Sequence, residues 1–164
     1  MEELLQQIER SIENGTYLLG LYVTLALPDI CGALESPDGT ANRCRYITWF
    51  NRWVSANYDG NLTGEQCYAY RCGILHQGRA NHKKLGYSRI IFIEPGSTMT
   101  FHRNILNDAY NIDLRLFSGD VITGVRAWLD EVQNSKHFRT NYEHLMKRYP
   151  NGLTPYIVGI PVIG

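Results

Sequence analysis

The chain has 164 residues, with 16 Lys and Arg set against 16 Asp and Glu, so its formal net charge is zero. That length is most simply one domain, residues 1–164, with room for a real core. Neutrality excludes global attraction to nucleic acid or to an anionic membrane, so any polyanion site must be local. The four cysteines (Cys31, Cys44, Cys67, Cys72) are scattered, and acidic Glu2 and Glu3 stand where a secretory signal needs basic residues. The reading is a cytoplasmic protein with reduced thiols.

In chain order, Leu4, Leu5, Ile8 and Ile12 have helical spacing, and Asn14-Gly15 ends that helix. Tyr17 to Leu27 is apolar almost all round but too short for a membrane span, which needs about 20 such residues. Pro28 is expected to end this buried helix, with Asp29 capping a short one through Leu34. Pro37-Asp38-Gly39 reads as a turn. Ala41 to Ala56 reads as a third helix whose stripe of Tyr46, Trp49, Phe50, Trp53 and Val54 is core or subunit interface. After the turn at Tyr58-Asp59-Gly60-Asn61, a fourth helix opens behind Thr63 as N-cap and stops at Gly78.

Beyond Gly78 the pattern changes. Arg79 to Gly86 is a polar basic loop, Arg89 to Ile93 a strand, and Thr98 to His102 a second strand. Ile112, Leu114 and Leu116 alternate with polar neighbours, as a half-buried strand does. Helix returns at about Ser118 with an apolar face of Val121, Ile122, Val125, Trp128 and Val132. Phe138, Tyr142, Leu145 and Tyr149 carry that pattern on. The apolar tail from Tyr156 to Ile163 is β-like and is expected to pack on the sheet edge or on a second subunit. The fold class is therefore mainly α: a helical bundle with a small antiparallel β-sheet inserted before the last helices.

Chemistry concentrates on the fourth helix. Arg71 and His76 lie near its end, and from Gln66 to Ile93 there is no Asp or Glu, while Arg71, Arg79, Lys83, Lys84 and Arg89 are all basic. A second pair of the same spacing, Arg139 and His144, lies on a helix whose apolar face is already explained, and reads as solvated surface. Cys67, Cys72, His76 and His82 match no zinc spacing, so no metal site is expected. No cofactor motif is present.

The run Tyr70-Arg71-Cys72-Gly73-Ile74-Leu75-His76-Gln77-Gly78 resembles the Arg-x(4–6)-His signature of the HEPN superfamily, including its leucine-histidine-x-glycine ending. The resemblance covers about ten residues. Where the family commonly has Asn after the arginine this chain has Cys72, and the β-rich segment from Ser88 to Leu116 is not a core family feature. What the resemblance implies is a helical, homodimeric, metal-independent endoribonuclease of a defence or toxin-type system, with RNA as substrate and an antitoxin protein as partner. The alternative it leaves open is a catalytically inactive RNA-binding or dimerisation module.

On that reading Arg71 holds the phosphate and His76 acts as acid and base near neutral pH. Tyr68, Arg79, Lys83 and Lys84 are the substrate-binding candidates, although packing is the plainer role for Tyr68. Glu65 serves as a first-turn dipole partner. Five residues of ideal helix set Arg71 and His76 roughly 140° apart. The expectation is that they meet only across a dimer or where the helix loosens, and that no nearby carboxylate neutralises the arginine. The plainer reading is that both make structural hydrogen bonds at a dimer seam.

Overall fold

The computed structural model describes residues 1–80, 86–96 and 99–164. Its elements in order are α1 (Glu2–Glu13), α2 (Tyr17–Glu35), α3 (Arg43–Trp53), a short 3₁₀ turn (Ser55–Tyr58) and α4 (Gly64–Gln77). Then come β1 (Arg89–Ile93), β2 (Asn104–Leu106), β3 (Ala109–Asp113), α5 (Leu114–Val132) and α6 (Lys136–Glu143). Four two-residue strands close the chain: β4 (Arg148–Tyr149), β5 (Gly152–Leu153), β6 (Ile157–Val158) and β7 (Val162–Ile163). The fold is mainly α with small β-sheets, as the periodicities require.

The bundle is arranged around α2, which packs against α1, α3, α4, α5 and α6. It runs unbroken through Pro28, where an end was expected. Proline removes one backbone bond, but Leu25, Leu27, Pro28 and Cys31 are all buried around it, and tertiary packing holds the helix straight through. Asp29 is therefore an interior helical residue, not a cap. At 19 residues α2 is long and apolar enough to cross a membrane by composition, yet half of its apolar window is buried against its neighbours. Gly20 sets the α1–α2 approach: a Cβ there would stand 2.5 Å from Ser11 Oγ.

The aromatic stripe of α3 is core. Tyr46, Trp49, Phe50 and Val54 are buried, with Trp49 edge-on to Trp128 at 6.4 Å. Trp128 of α5 is fully enclosed, and its Nε1 donates to Glu35 Oε2 at 2.9 Å. This satisfies the one polar atom of a large buried ring.

The sheet sits where expected but is mixed, in the order β1-β3-β2. β3 pairs antiparallel with β2 and parallel with β1, Arg89 lying opposite Ala109. The β2–β3 turn is tight because Asn107 and Asp108 both take positive φ, 49° and 59°. The second strand lies at Asn104–Leu106 and not at 98–102, of which Thr98 lies outside the described residues. The alternation at Ile112, Leu114 and Leu116 breaks at Asp113, whose side chain accepts from Leu116 N at 3.0 Å and starts α5 four residues before Ser118. Past α6 the helical spacing to Tyr149 is not realised. The tail instead folds back on itself, β4 with β7 and β5 with β6, and among the described residues none of these strands is hydrogen-bonded into the three-stranded sheet.

Candidate functional site

α4 is fixed at both ends by its own sequence. Thr63 Oγ1 accepts from Gln66 N at 3.3 Å while Gln66 Oε1 accepts from Thr63 N at 2.9 Å, a reciprocal box that satisfies two free backbone donors. At the other end Gly78 takes φ 62°, and Arg79 N donates to Gly73 O at 2.9 Å while Gly78 N donates to Ile74 O at 3.1 Å. That pairing closes the last carbonyls as a left-handed glycine cap does. Glu65 in the first turn pairs with Arg43 of α3.

Within this regular helix Arg71 and His76 meet inside one chain. Arg71 Nη1 lies 2.9 Å from His76 Nε2. The expectation that the pair meets only through a loosened helix or a second subunit fails, because the arginine is long enough to reach around the backbone. A guanidinium can only donate, so Nε2 accepts and the ring proton resides on Nδ1.

The other side of the guanidinium faces α2. Arg71 Nη2 stands 2.6 Å from Asp29 Oδ2, and the two side chains are only 17% and 12% exposed. The expectation that no carboxylate neutralises Arg71 also fails. The contact is short but no N–H lies along it: Asp29 Oδ2 and Arg71 Nε are both buried without a hydrogen-bond partner. Charge, more than a directed bond, holds the pair. Burial pushes the Asp29 carboxyl above its usual range, with Arg71 and His76 pulling the other way. Burial works to lower Arg71 as well, yet Asp29 and Cys72 outweigh it and raise the guanidinium further. The shifts of the two partners disagree about the carboxylate. The 2.6 Å separation and the permanent charge of arginine decide for an ionised pair at neutral pH.

Tyr68 stands between the core and Arg71. It is half-buried, edge-on to Tyr46 at 5.2 Å, with the Arg71 guanidinium 5.8 Å above its ring. Burial first, then a hydrogen bond with Cys72, raises its phenol. Cys72 Sγ lies 3.9 Å from Arg71 Nη1. Cys67 points into the core, 3.3 Å from Tyr46 Oη, its thiol pushed up to about 12 by burial. Neither cysteine belongs to a metal cluster: among the described residues no three of His, Cys, Asp or Glu gather to hold an ion. All four cysteines are free thiols.

Arg79 is exposed directly beyond Gly78, and Arg89 is exposed at the start of β1. Lys83, Lys84 and His82 lie outside the described residues. Arg139 and His144 are exposed, and Arg139 donates to Gln133 O and Asn134 Oδ1 close by in its own segment, as a surface residue does. The sequence reading missed Asp29. Its signal was there: it is the only charged residue between Tyr17 and Leu34. A lone carboxylate in an apolar helix needs a partner, and none lies on α2 itself. Comparison with family models, curated proteins and solved structures finds no match.

Proposed function

We propose that the chain is a HEPN-like, metal-independent endoribonuclease that acts on RNA as a cytoplasmic homodimer in a defence or toxin-type system, with an antitoxin protein as its partner. The observation that carries this reading is the 2.9 Å contact between Arg71 and His76 on the helix that bears the family's motif. In the reaction the 2′-hydroxyl oxygen attacks the adjacent phosphorus. Its proton passes to the Nε2 lone pair of His76, and the bond to the 5′-oxygen breaks. That oxygen takes a proton from water, and the protonated His76 returns its proton to solvent, giving a 2′,3′-cyclic phosphate and a 5′-hydroxyl end. Arg71 leaves His76 for the phosphoryl oxygens, where its forked charge is worth most as charge develops. Asp29 aims the guanidinium, and Arg79, Lys83 and Lys84 draw in the backbone.

The second reading, a catalytically inactive RNA-binding or dimerisation module, is favoured by a different observation: Asp29 already neutralises Arg71. Incubation of the purified protein with mixed single-stranded RNA in EDTA separates the two. The enzyme reading expects cleavage that survives chelation, leaves cyclic phosphate ends and is lost in His76→Ala. Binding without cleavage supports the silent module. Cleavage untouched by His76→Ala removes the site assignment.

A further inference from the structure

Two apolar surfaces that the bundle leaves open lie near the two ends of one helix. At the N-terminal end of α2, Leu18 and Leu19 are 70% and 66% exposed. At the other end, Leu145 and Met146 line a cleft with Ile30, Ala33 and Leu34 of α2, and the chain leaves from there as a β-hairpin arm. The arm begins where Lys147 N donates to Gly164 O at 2.8 Å and Gly164 N donates to Lys147 O at 3.0 Å. Its strands pair only with each other, and Tyr156 and Val158 are 81% and 72% exposed, with Ile160 and Ile163 also open. A lone two-stranded hairpin is marginal in water and presents two open edges. This one offers apolar side chains on both faces.

Between the two ends a stripe of α2 stays partly open. Leu19 and Tyr22 are exposed, Ala26, Ile30 and Ala33 are half-buried, and the five fall within an arc of roughly 80° at 100° per residue. Ala26 is the middle residue of Tyr17–Glu35, and small. We infer that α2 is the seam of a homodimer, antiparallel to its copy about a two-fold axis at Ala26, with each arm lying on the Leu18–Leu19 end of the other copy's α2. The axis places Leu19 opposite the partner's Ala33, and Tyr22 opposite the partner's Ile30. The foot of each arm then stands beside the partner's exposed leucines, about 21 Å along the helix from its own. One operation covers both patches at once, as an isologous interface must.

Size and charge agree. The arm and the α2 end together expose apolar surface on the order of 1,000 Å² per copy, against about 800 Å² per partner in a standard stable interface. No charged side chain occurs from Tyr149 to Gly164, and α2 carries only Asp29 between Tyr17 and Leu34, so two copies meet without like-charge repulsion. Asp29 lies at the margin of the stripe, which sets both Arg71 and His76 pairs beside the seam. The inference takes the homodimer from the proposed function and assigns its contact; the cleavage chemistry does not enter.

Sedimentation equilibrium tests it with Leu19→Glu, which spoils the acceptor, and Val158→Glu, which spoils the arm. The wild type is expected to be a dimer at micromolar concentration, and each variant alone to dissociate at least about tenfold more readily. An equimolar mixture of the two variants is expected to regain dimer, because one arm and one acceptor in the mixed pair are both intact. A mixture no tighter than either variant alone overturns the exchanged arms. So does a monomeric wild type, including one that pellets with phosphatidylcholine–phosphatidylserine vesicles, which would give the arm to a lipid surface. Circular dichroism checks folding, and Leu19→Ser with Val158→Thr repeats the test if either glutamate variant unfolds. None of these readouts uses RNA, so a failed dimer contact and a failed ribonuclease reading remain separate results.

Discussion

Asp29 sits in a helix that supplies no partner of its own, and what compensates it is a single guanidinium held by charge rather than by an aligned bond. Its folded-state pKa is raised, chiefly by burial. The sign of the linkage follows. Below the ordinary carboxylate pKa, about 3.9, the group is protonated in folded and unfolded chains alike. As pH rises from there the unfolded chain releases the proton first, so the stability that the protonated group contributes is lost up to the folded-state pKa. Urea unfolding of the wild type and Asp29→Asn from pH 4 to 7 is expected to show the wild type losing ground to the variant in the acid part of that range, then holding level. A wild type that gains on the variant across the window would mean that the ion pair outweighs burial. Arg71→Lys is expected to destabilise the wild type at pH 7, because a point charge cannot serve both Asp29 and His76 from one fork; the same urea titration reads it. An unchanged midpoint would show that the shared guanidinium holds nothing together.

At the scale of elements, the stop and start signals that lie within one helix were legible. Thr63 and Gly78 bound α4 by local bonds that the sequence signals, while the reciprocal bond from Gln66 was not foreseen. Arg71 and His76 could be placed for the same reason. Elements governed by packing were misread: Pro28 was given the power to end α2, which burial overrides, and the alternation across Asp113 concealed a cap. Asp29 reaches Arg71 only through the packing of α2 on α4, which spacing along the chain does not show. That packing depends in turn on how α4 sits against α3. A Cβ on Gly64 would stand 2.6 Å from the Ile47 carbonyl oxygen, so no side chain fits at the start of α4 without moving it. Gly64→Ala should therefore destabilise by about 1–3 kcal/mol through overpacking, although alanine is the better helix former by about 1 kcal/mol. Chemical denaturation measures it, and a stabilised variant would show that α4 can slide away from α3 at little expense.

For the whole molecule, the proposed function asks a neutral chain with one basic window to bind RNA through a few groups, and the structure alters which ones are free. Arg71 lies inside that window in sequence, but its charge is matched by Asp29 in the ground state. The remaining basic groups are Arg79 and Arg89, both exposed, and Lys83 and Lys84 beyond the described residues. Each phosphate neutralised on single-stranded RNA contributes about −0.7 to the slope of log K against log salt, so three engaged groups give a slope near −2 per subunit. Arg79→Ala is expected to flatten that slope by about 0.7 without changing which sequences bind, since phosphate contacts position and do not specify. Asp29→Asn acts the other way. It releases the Arg71 charge, so binding should tighten and the slope steepen by about 0.7, while cleavage falls because the guanidinium is no longer aimed. Arg139→Ala, on a residue that bonds to Gln133 and Asn134 of its own surface segment, should leave the slope unchanged. Titrations at three salt concentrations compare the four proteins. Weaker binding in Asp29→Asn would place Asp29 in structural support rather than in charge control, and a flattened slope in Arg139→Ala would move the RNA contact to the Arg139–His144 face.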